Sequence, residues 1–481
     1  MFSLCRSSYS IDVSYIDKLE RANSLAEDYS SLLVHRQKRI DSTKLKSHLS
    51  SIAERFMRDY HVSVAKESSK DFVWPEEVWT KDLHDLQRLG SIQSLIEHRQ
   101  SAFRHDRING GRILQLFGQD PEYEKLVDLA ENGVIIDLPD GFVPSTEPPP
   151  MGRLHNDLVN TFRAQAYKKW CKGKTIILPL HAVDPVLRAT QNFCRVHWTP
   201  KPATEDSPGN KLGRILVDPS HGEPNSILNT PDEKAKSILR YGKCDDADIR
   251  SMATKWLQYC ASKNYSLNEC SLCKDDVAEA FPQLCFNKSS APLMCAMIDE
   301  ELYSIDLNGN FGHTSLPMAF NFVSQRHLQR VRSLVDGVID KYVDDYMMFS
   351  HDSTIDHVQS TNQECLRALF GPASVEPSKI VPPCKAANII GWYVNLTTGL
   401  VRPNNKGINK LLFVFFFIDE TQPQPLKAFQ LISSLTERYS LAIKGMRSLI
   451  DPITNMTRKW DARHPFSKRK ADSSARFAIE M

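Results

Sequence analysis

No apolar run in this 481-residue chain is long enough to cross a bilayer. The longest, residues 411–418 (LLFVFFFI), has eight residues, against roughly 20 for a spanning helix. The N-terminal MFSLCRSSYSIDVS has no basic region followed by a long apolar stretch, so secretion is not expected and the chain reads as intracellular. Nothing separates a cytoplasmic particle from the nucleus. A strong net charge is missing too: 60 Lys and Arg against 58 Asp and Glu leave +2. Bulk charge therefore does not announce a nucleic-acid binder, yet it excludes no basic channel, because affinity follows where cations cluster. Cysteines are sparse and irregular, 11 in all, which excludes a disulfide scaffold and favours reduced thiols. Cys270 and Cys273 form one CxxC, with Cys260, Cys285 and Cys295 nearby. A zinc site needs a second, well-spaced pair, so buried or incidental thiols are expected.

The chain does have an ordinary globular composition, 41% hydrophobic and 25% charged, and enough length for several packed units. Residues 1–130 are polar with a mainly helical pattern and no recognisable chemistry, and are expected to form an N-terminal extension. A proline-dense stretch over 138–151 marks a boundary or an extended arm,. One helix is expected over 155–174, with Lys168, Lys169, Lys172 and Lys174 near its C-terminal end, where cations suit the helix dipole and could equally meet a phosphate backbone. Short strands begin at Thr175, and helical periodicity returns over 423–460. Such mixing argues for an α+β fold.

The strongest local signal is VIDKYVDDYMMFS, residues 338–350. Asp344 and Asp345 interrupt two short, β-prone apolar runs, a pattern that places them at the tip of a hairpin. A bare Asp-Asp turn is usually solvated. Here the aromatic and aliphatic flanks argue for burial, and buried adjacent carboxylates call for cations. Magnesium is the natural partner. Upstream, Asp276 in KDDVAEAFPQLCF (274–286) begins a second cluster, far enough away in sequence to return a strand beside the hairpin. Three converging carboxylates can hold two metal ions for in-line phosphoryl transfer.

The chain resembles the retrotransposon reverse transcriptases of the YVDD type over roughly residues 200–455. KDDVAEAF resembles the family's first catalytic motif, an aspartate followed five positions later by an aromatic, and YVDD (342–345) resembles its signature. FGHTSLPMAF (311–320) is similar to the motif that backs the incoming nucleotide and template. NIIGWYV (388–394) with GLVRP (399–403) is similar to the primer grip, and GRILVD (213–218) followed by SILN (226–229) to the fingers motif. His313 and Met318 depart from the small or polar residues common there.

The resemblance implies a right-hand polymerase. Its expected parts are an N-terminal extension (1–130), a fingers-like region (131–270), a palm (271–418) and a thumb-like helical region with a tail (419–481). Asp276, Asp344 and Asp345 would be catalytic and hold two Mg²⁺ ions, with Mn²⁺ as a substitute. Phe281, Lys211, Arg214, Gly312, Pro317 and Tyr342 would contact substrate: Phe281 as a steric gate against the 2′-hydroxyl, Lys211 and Arg214 at the triphosphate. Lys379 and Lys385 are candidates for protonating pyrophosphate. A helix starting at Pro317 should bury Phe320, Val323, Leu328, Val331, Leu334 and Val335, and Arg438, Lys444 and Arg447 would face duplex phosphates. Lys468-Arg-Lys470 reads as a solvated tail. Expected partners are an RNA template, a DNA primer–template duplex and deoxynucleoside triphosphates, with no membrane. No ribonuclease H, protease, zinc-knuckle or integrase pattern is visible, so the chain could be a polyprotein fragment or a decayed copy. The alternatives are an RNA-dependent RNA polymerase, disfavoured by Val343 and Phe281, and a catalytically decayed nucleic-acid binder.

Overall fold

A computed structural model describes residues 71–75, 77–104, 107–199, 214–220, 226–405, 407, 424–441, 451–455, 457, 468–469 and 475. Helices and strands are mixed, as the pattern implies. Among the described residues four helices come first: α1 (Glu77–Leu89), α2 (Ile92–Ala102), α3 (Gly110–Phe117) and α4 (Tyr123–Asn132). Ser91 and Asn109 start α2 and α3 by accepting the backbone N–H groups of Ser94 and Arg112, which satisfies donors that the helix itself leaves orphaned. Leu95, Ile113 and Leu126 share one hydrophobic cluster with Phe286, Phe320 and Met348, so the core runs across position 130. Residues 1–70 lie outside the described residues.

The helix expected over 155–174 is broken. A short turn, Arg153–Asp157, precedes α5 (Val159–Cys171), and Leu158 between them leaves helical angles (φ −116, ψ 18). Its side chain is fully buried beside Phe162 and Ile177, and burying a leucine outweighs one lost helical residue. Three of the four cations near the end of α5 are paired with carboxylates. Lys169 meets Asp306 at 3.1 Å, and Lys172 and Lys174 meet Glu279 at 2.9 and 2.6 Å.

The strands follow as β1 (Thr175–Pro179), β2 (Arg195–Thr199) and β3 (Arg214–Asp218), then α6 (Pro231–Tyr241) and α7 (Ile249–Lys263). Next come β4 (Cys270–Asp276), β5 (Cys295–Met297), β6 (Leu302–Asp306), α8 (Ser315–Arg332), β7 (Val338–Tyr342), β8 (Asp345–His351) and α9 (Ile355–Phe370). Four strands, β9 (Val381–Cys384), β10 (Ala386–Ile389), β11 (Trp392–Asn395) and β12 (Leu400–Pro403), precede α10 (Leu426–Ser440). The central sheet is antiparallel in the order β7-β8-β4-β9, and β2 pairs with β3 in a separate ribbon. Its two faces feed different clusters: Cys273, Tyr346 and Met348 join the main core, and Leu272, Met347 and Phe349 join a second one around Trp256 and Trp392. The CxxC is divided by this alternation. Cys270 lies 3.8 Å from Cys260 in the second cluster, whereas Cys273 lies in the first.

Helix α8 begins at Ser315, two residues before the expected Pro317. Proline at the third helical position costs nothing, because no N–H of the first turn has an intrahelical partner. Phe320, Val323, Leu328 and Val331 are buried as the stripe predicts; Leu334 lies past the helix end and is 43% exposed. The loop before α8 is pinned to β3. Gly312 has φ +130, and a Cβ there would lie 1.9 Å from the carbonyl oxygen of Val217. The carboxamide of Asn229 donates to the Gly312 carbonyl (2.6 Å) and accepts from Thr314 N–H (3.1 Å). The neighbouring His313 is buried against the Ser315 hydroxyl (2.7 Å), and burial holds its pKa down to about 3. Gly312→Ala should therefore push the loop off β3 and destabilise the protein by about 2 kcal/mol or more. Urea unfolding of variant and wild type measures this, and an unchanged midpoint would refute the close approach.

In α10, Phe429, Ile432 and Tyr439 are buried. Arg438 donates to the Ile390 carbonyl. Lys444 and Arg447 lie outside the described residues. Lys468 and Arg469 pair as a short strand with Gln424 and Pro425; Lys470 is outside the described residues.

Candidate metal and catalytic site

Asp276 ends β4 and Asp345 opens β8, and the two are direct cross-strand partners. Asp344 shares with Val343 the two-residue turn between β7 and β8, because Tyr342 pairs with Asp345. Strand alternation separates the two aspartates of KDDV. Asp275 turns away and is fully buried, its oxygens accepting the amides of Gln359, Asn362 and Gln363 on α9 at 2.8–3.0 Å. Asp276 turns into the site.

Val343 has φ +54, an unfavourable region for a β-branched residue that costs about 1–3 kcal/mol. Two hydrogen bonds hold the turn: Val343 N–H donates to Asp246 (2.9 Å), and Val277 N–H donates to the Asp344 carbonyl (3.0 Å).

One carboxylate oxygen from each of Asp276, Asp344 and Asp345 lies within 4.8 Å of the others. Asp276 is only 3% exposed, and the other two are half-buried. Lys379 reaches Asp276 at 2.5 Å and Lys274 reaches Asp345 at 2.8 Å. Burial pushes the Asp276 carboxyl up to about 7; Lys379 opposes the shift, and Asp345 and Asp344 add to it. Asp344 is raised as well, by burial and then by the charge of Asp345. Three carboxylates against two ammonium groups leave a local excess of negative charge. An all-oxygen donor set of this kind suits a hard divalent cation such as Mg²⁺ or Mn²⁺, so the residues present fit the metal.

A pH dependence follows. The Asp276 carboxyl titrates near 7 when folded, against an ordinary 3.8. Between those values the folded state holds more protons than the unfolded state, so raising the pH from about 4 to about 7 should destabilise the metal-free protein. The expected loss is on the order of 2–4 kcal/mol. Unfolding in EDTA at several pH values, for wild type and Asp276→Asn, isolates this effect. The variant should show a flatter dependence, and parallel curves would mean that Asp276 is unperturbed.

The other expected site residues sit on several different elements. Phe281 opens a single 3₁₀ turn, half-buried, edge-on to Phe311 (5.2 Å) and Phe320 (6.0 Å). Arg214, the exposed first residue of β3, holds its guanidinium 4.9 Å from the Phe311 ring centre. Tyr342 ends β7 and is 43% exposed. Gly312 and Pro317 flank the loop and first turn of α8, and Lys211 lies outside the described residues. Of the two candidate proton donors, Lys379 is in the site. Lys385 is committed elsewhere, to Asp352 and to the carbonyls of Asn268 and Cys270, each at 2.7 Å. Sequence reasoning missed Lys274, although its signal was available: i and i+2 on a strand share a face, which puts Lys274 beside Asp276. It missed Asp246 as well, for which no local pattern exists.

No protein-family model matches this chain, and no curated protein matches it. Solved structures do resemble it, at 14% identity. One is the foamy viral protease-reverse transcriptase dRH in complex with ds DNA, with a TM-score of 0.41 over 79% of this chain and 58% of that one. The foamy viral protease-reverse transcriptase in complex with RNA/DNA hybrid gives 0.42 over 79% and 45%, and in complex with dsDNA 0.43 over 77% and 69%. The chain thus spans about half the length of the first two.

Proposed function

We propose that this chain is an RNA-directed DNA polymerase of the retrotransposon type. It would extend a DNA primer on an RNA or DNA template inside the cell. The observation that carries the reading is the convergence of Asp276 and Asp345 from paired antiparallel strands with Asp344 from the turn between β7 and β8. In this reading the sheet β7-β8-β4-β9 is the palm, the β2–β3 ribbon belongs to the fingers, and α10 belongs to the thumb.

The three carboxylates would hold two Mg²⁺ ions, which when bound supply charge stabilisation at the primer 3′-oxygen and at the leaving pyrophosphate. The residues of the chain perform the remaining tasks. Lys379, which meets Asp276, would donate a proton to the leaving pyrophosphate. Arg214, stacked on Phe311, would offer a bidentate fork to a phosphate. Phe281 would lie against the sugar of the incoming deoxynucleotide. Single-turnover extension of a DNA primer on RNA by the purified chain, with Mg²⁺ or EDTA and with deoxy- or ribonucleotides, tests the proposal. Magnesium-dependent extension with deoxynucleotides alone is expected. No extension under any condition, or equal use of ribonucleotides, would overturn it.

A further inference from the structure

We infer that Asp246 is a positioning residue that holds the Val343–Asp344 turn in its metal-binding form by fastening Val343. The inference rests on the metal-site reading above and assigns to it a support lying far away in sequence. The Oδ1 atom of Asp246 accepts both the Val343 N–H (2.9 Å) and the Lys341 ammonium (2.8 Å). Lys341 is 1% exposed and also donates to Asn321 of α8 at 2.6 Å. A buried ammonium must be paired, so Lys341 fixes Asp246 as firmly as Asp246 fixes the turn.

The segment that carries Asp246 is itself fastened. It links α6 to α7 and runs along β7, the edge strand of the central sheet, with Ala247 N–H donating to the Lys341 carbonyl (3.0 Å). Asn321 donates to the Lys243 carbonyl (3.0 Å), Gln325 donates to the Asp245 carbonyl (2.7 Å), and Asp248 caps α7. Asp246 is thus held from two sides while it grips a turn whose central residue sits at an unfavourable φ. Without its acceptor, the Val343 amide has no reason to stay in that form, since β-branched residues avoid it. A relaxed turn swings Asp344 relative to Asp345, whose position is set by its pairing with Asp276. The separation of the carboxylates then changes, and metal affinity with it.

The test is Mn²⁺ binding by the full-length chain, followed by electron paramagnetic resonance, together with hydrogen exchange over residues 338–350. Asp246→Asn combined with Lys341→Met keeps an oxygen acceptor for Val343, orphans no buried ion, and should bind Mn²⁺ within about threefold of wild type. Asp246→Ala combined with Lys341→Met removes both charges, so no buried ion is orphaned, and leaves the Val343 amide free. It should bind Mn²⁺ about tenfold or more weakly and exchange faster over 338–350, with primer–template affinity in EDTA unchanged. Wild-type Mn²⁺ affinity in the alanine double variant, or equal weakening in the asparagine double variant, would overturn the role of Asp246 while leaving the metal site standing. A wild-type chain that binds no Mn²⁺, or binds it equally after Asp344→Asn, would overturn the metal-site reading and this inference with it.

Discussion

Asp344→Asn is expected to lower primer extension by about a thousandfold while leaving the fold and duplex binding in place. The amide matches the carboxylate in size, and asparagine suits a turn as well as aspartate does. The backbone contact from Val277 N–H to the residue 344 carbonyl does not involve the side chain. What changes is charge at the centre of the acidic cluster. A carboxylate that holds a catalytic cation is worth several kcal/mol in the transition state, and about 4 kcal/mol corresponds to roughly three decades of rate at 1.36 kcal/mol per decade. Stability should move the other way. Burial and the neighbouring Asp345 already raise the Asp344 pKa, so a neutral amide relieves repulsion in the metal-free protein. Its thermal midpoint in EDTA should be no lower than that of wild type. Single-turnover extension at saturating duplex, paired with a gel-shift measurement of duplex affinity, separates the two effects. Retention of more than a few per cent of extension would falsify the assignment of Asp344.

Phe281→Ala is expected to change sugar selection by roughly ten- to hundredfold. If the ring lies against C2′ of the incoming sugar, a 2′-hydroxyl has to enter space packed to near-crystalline density. Overpacking of that kind costs on the order of 1–3 kcal/mol, which sets the size of the bias. Phe281 also braces Phe311 and Phe320, so its truncation should slow deoxynucleotide turnover as well. The informative quantity is therefore the ratio of kcat/KM for a matched deoxy- and ribonucleotide, which should fall toward one. An unchanged ratio would make Phe281 an ordinary packing residue and move sugar selection to another position.

Much of the chemistry was legible because it is written locally. Two aspartates between short β-prone runs specify a tight hairpin, and the period of two along CSLCKDD decides which side chains share a face. A face shared by Lys274 and Asp276 was therefore available from the sequence, as was the stripe from Phe320 to Val331. Errors arose where packing overrode local preference. Leu158 broke an expected helix by burying itself, and α8 gained two residues before Pro317.

By itself, the sequence determined the mixed fold class and the three carboxylates around which the site is built, since turn chemistry and alternation act over a few neighbouring residues. Only the tertiary structure decided how those carboxylates are balanced. Lys379 reaches Asp276, Lys274 reaches Asp345, and Asp246 grips the turn from a segment nearly a hundred positions upstream. Such pairings follow from strand register and from the need of each buried charge for a partner. Neither leaves a mark in the spacing of residues along the chain.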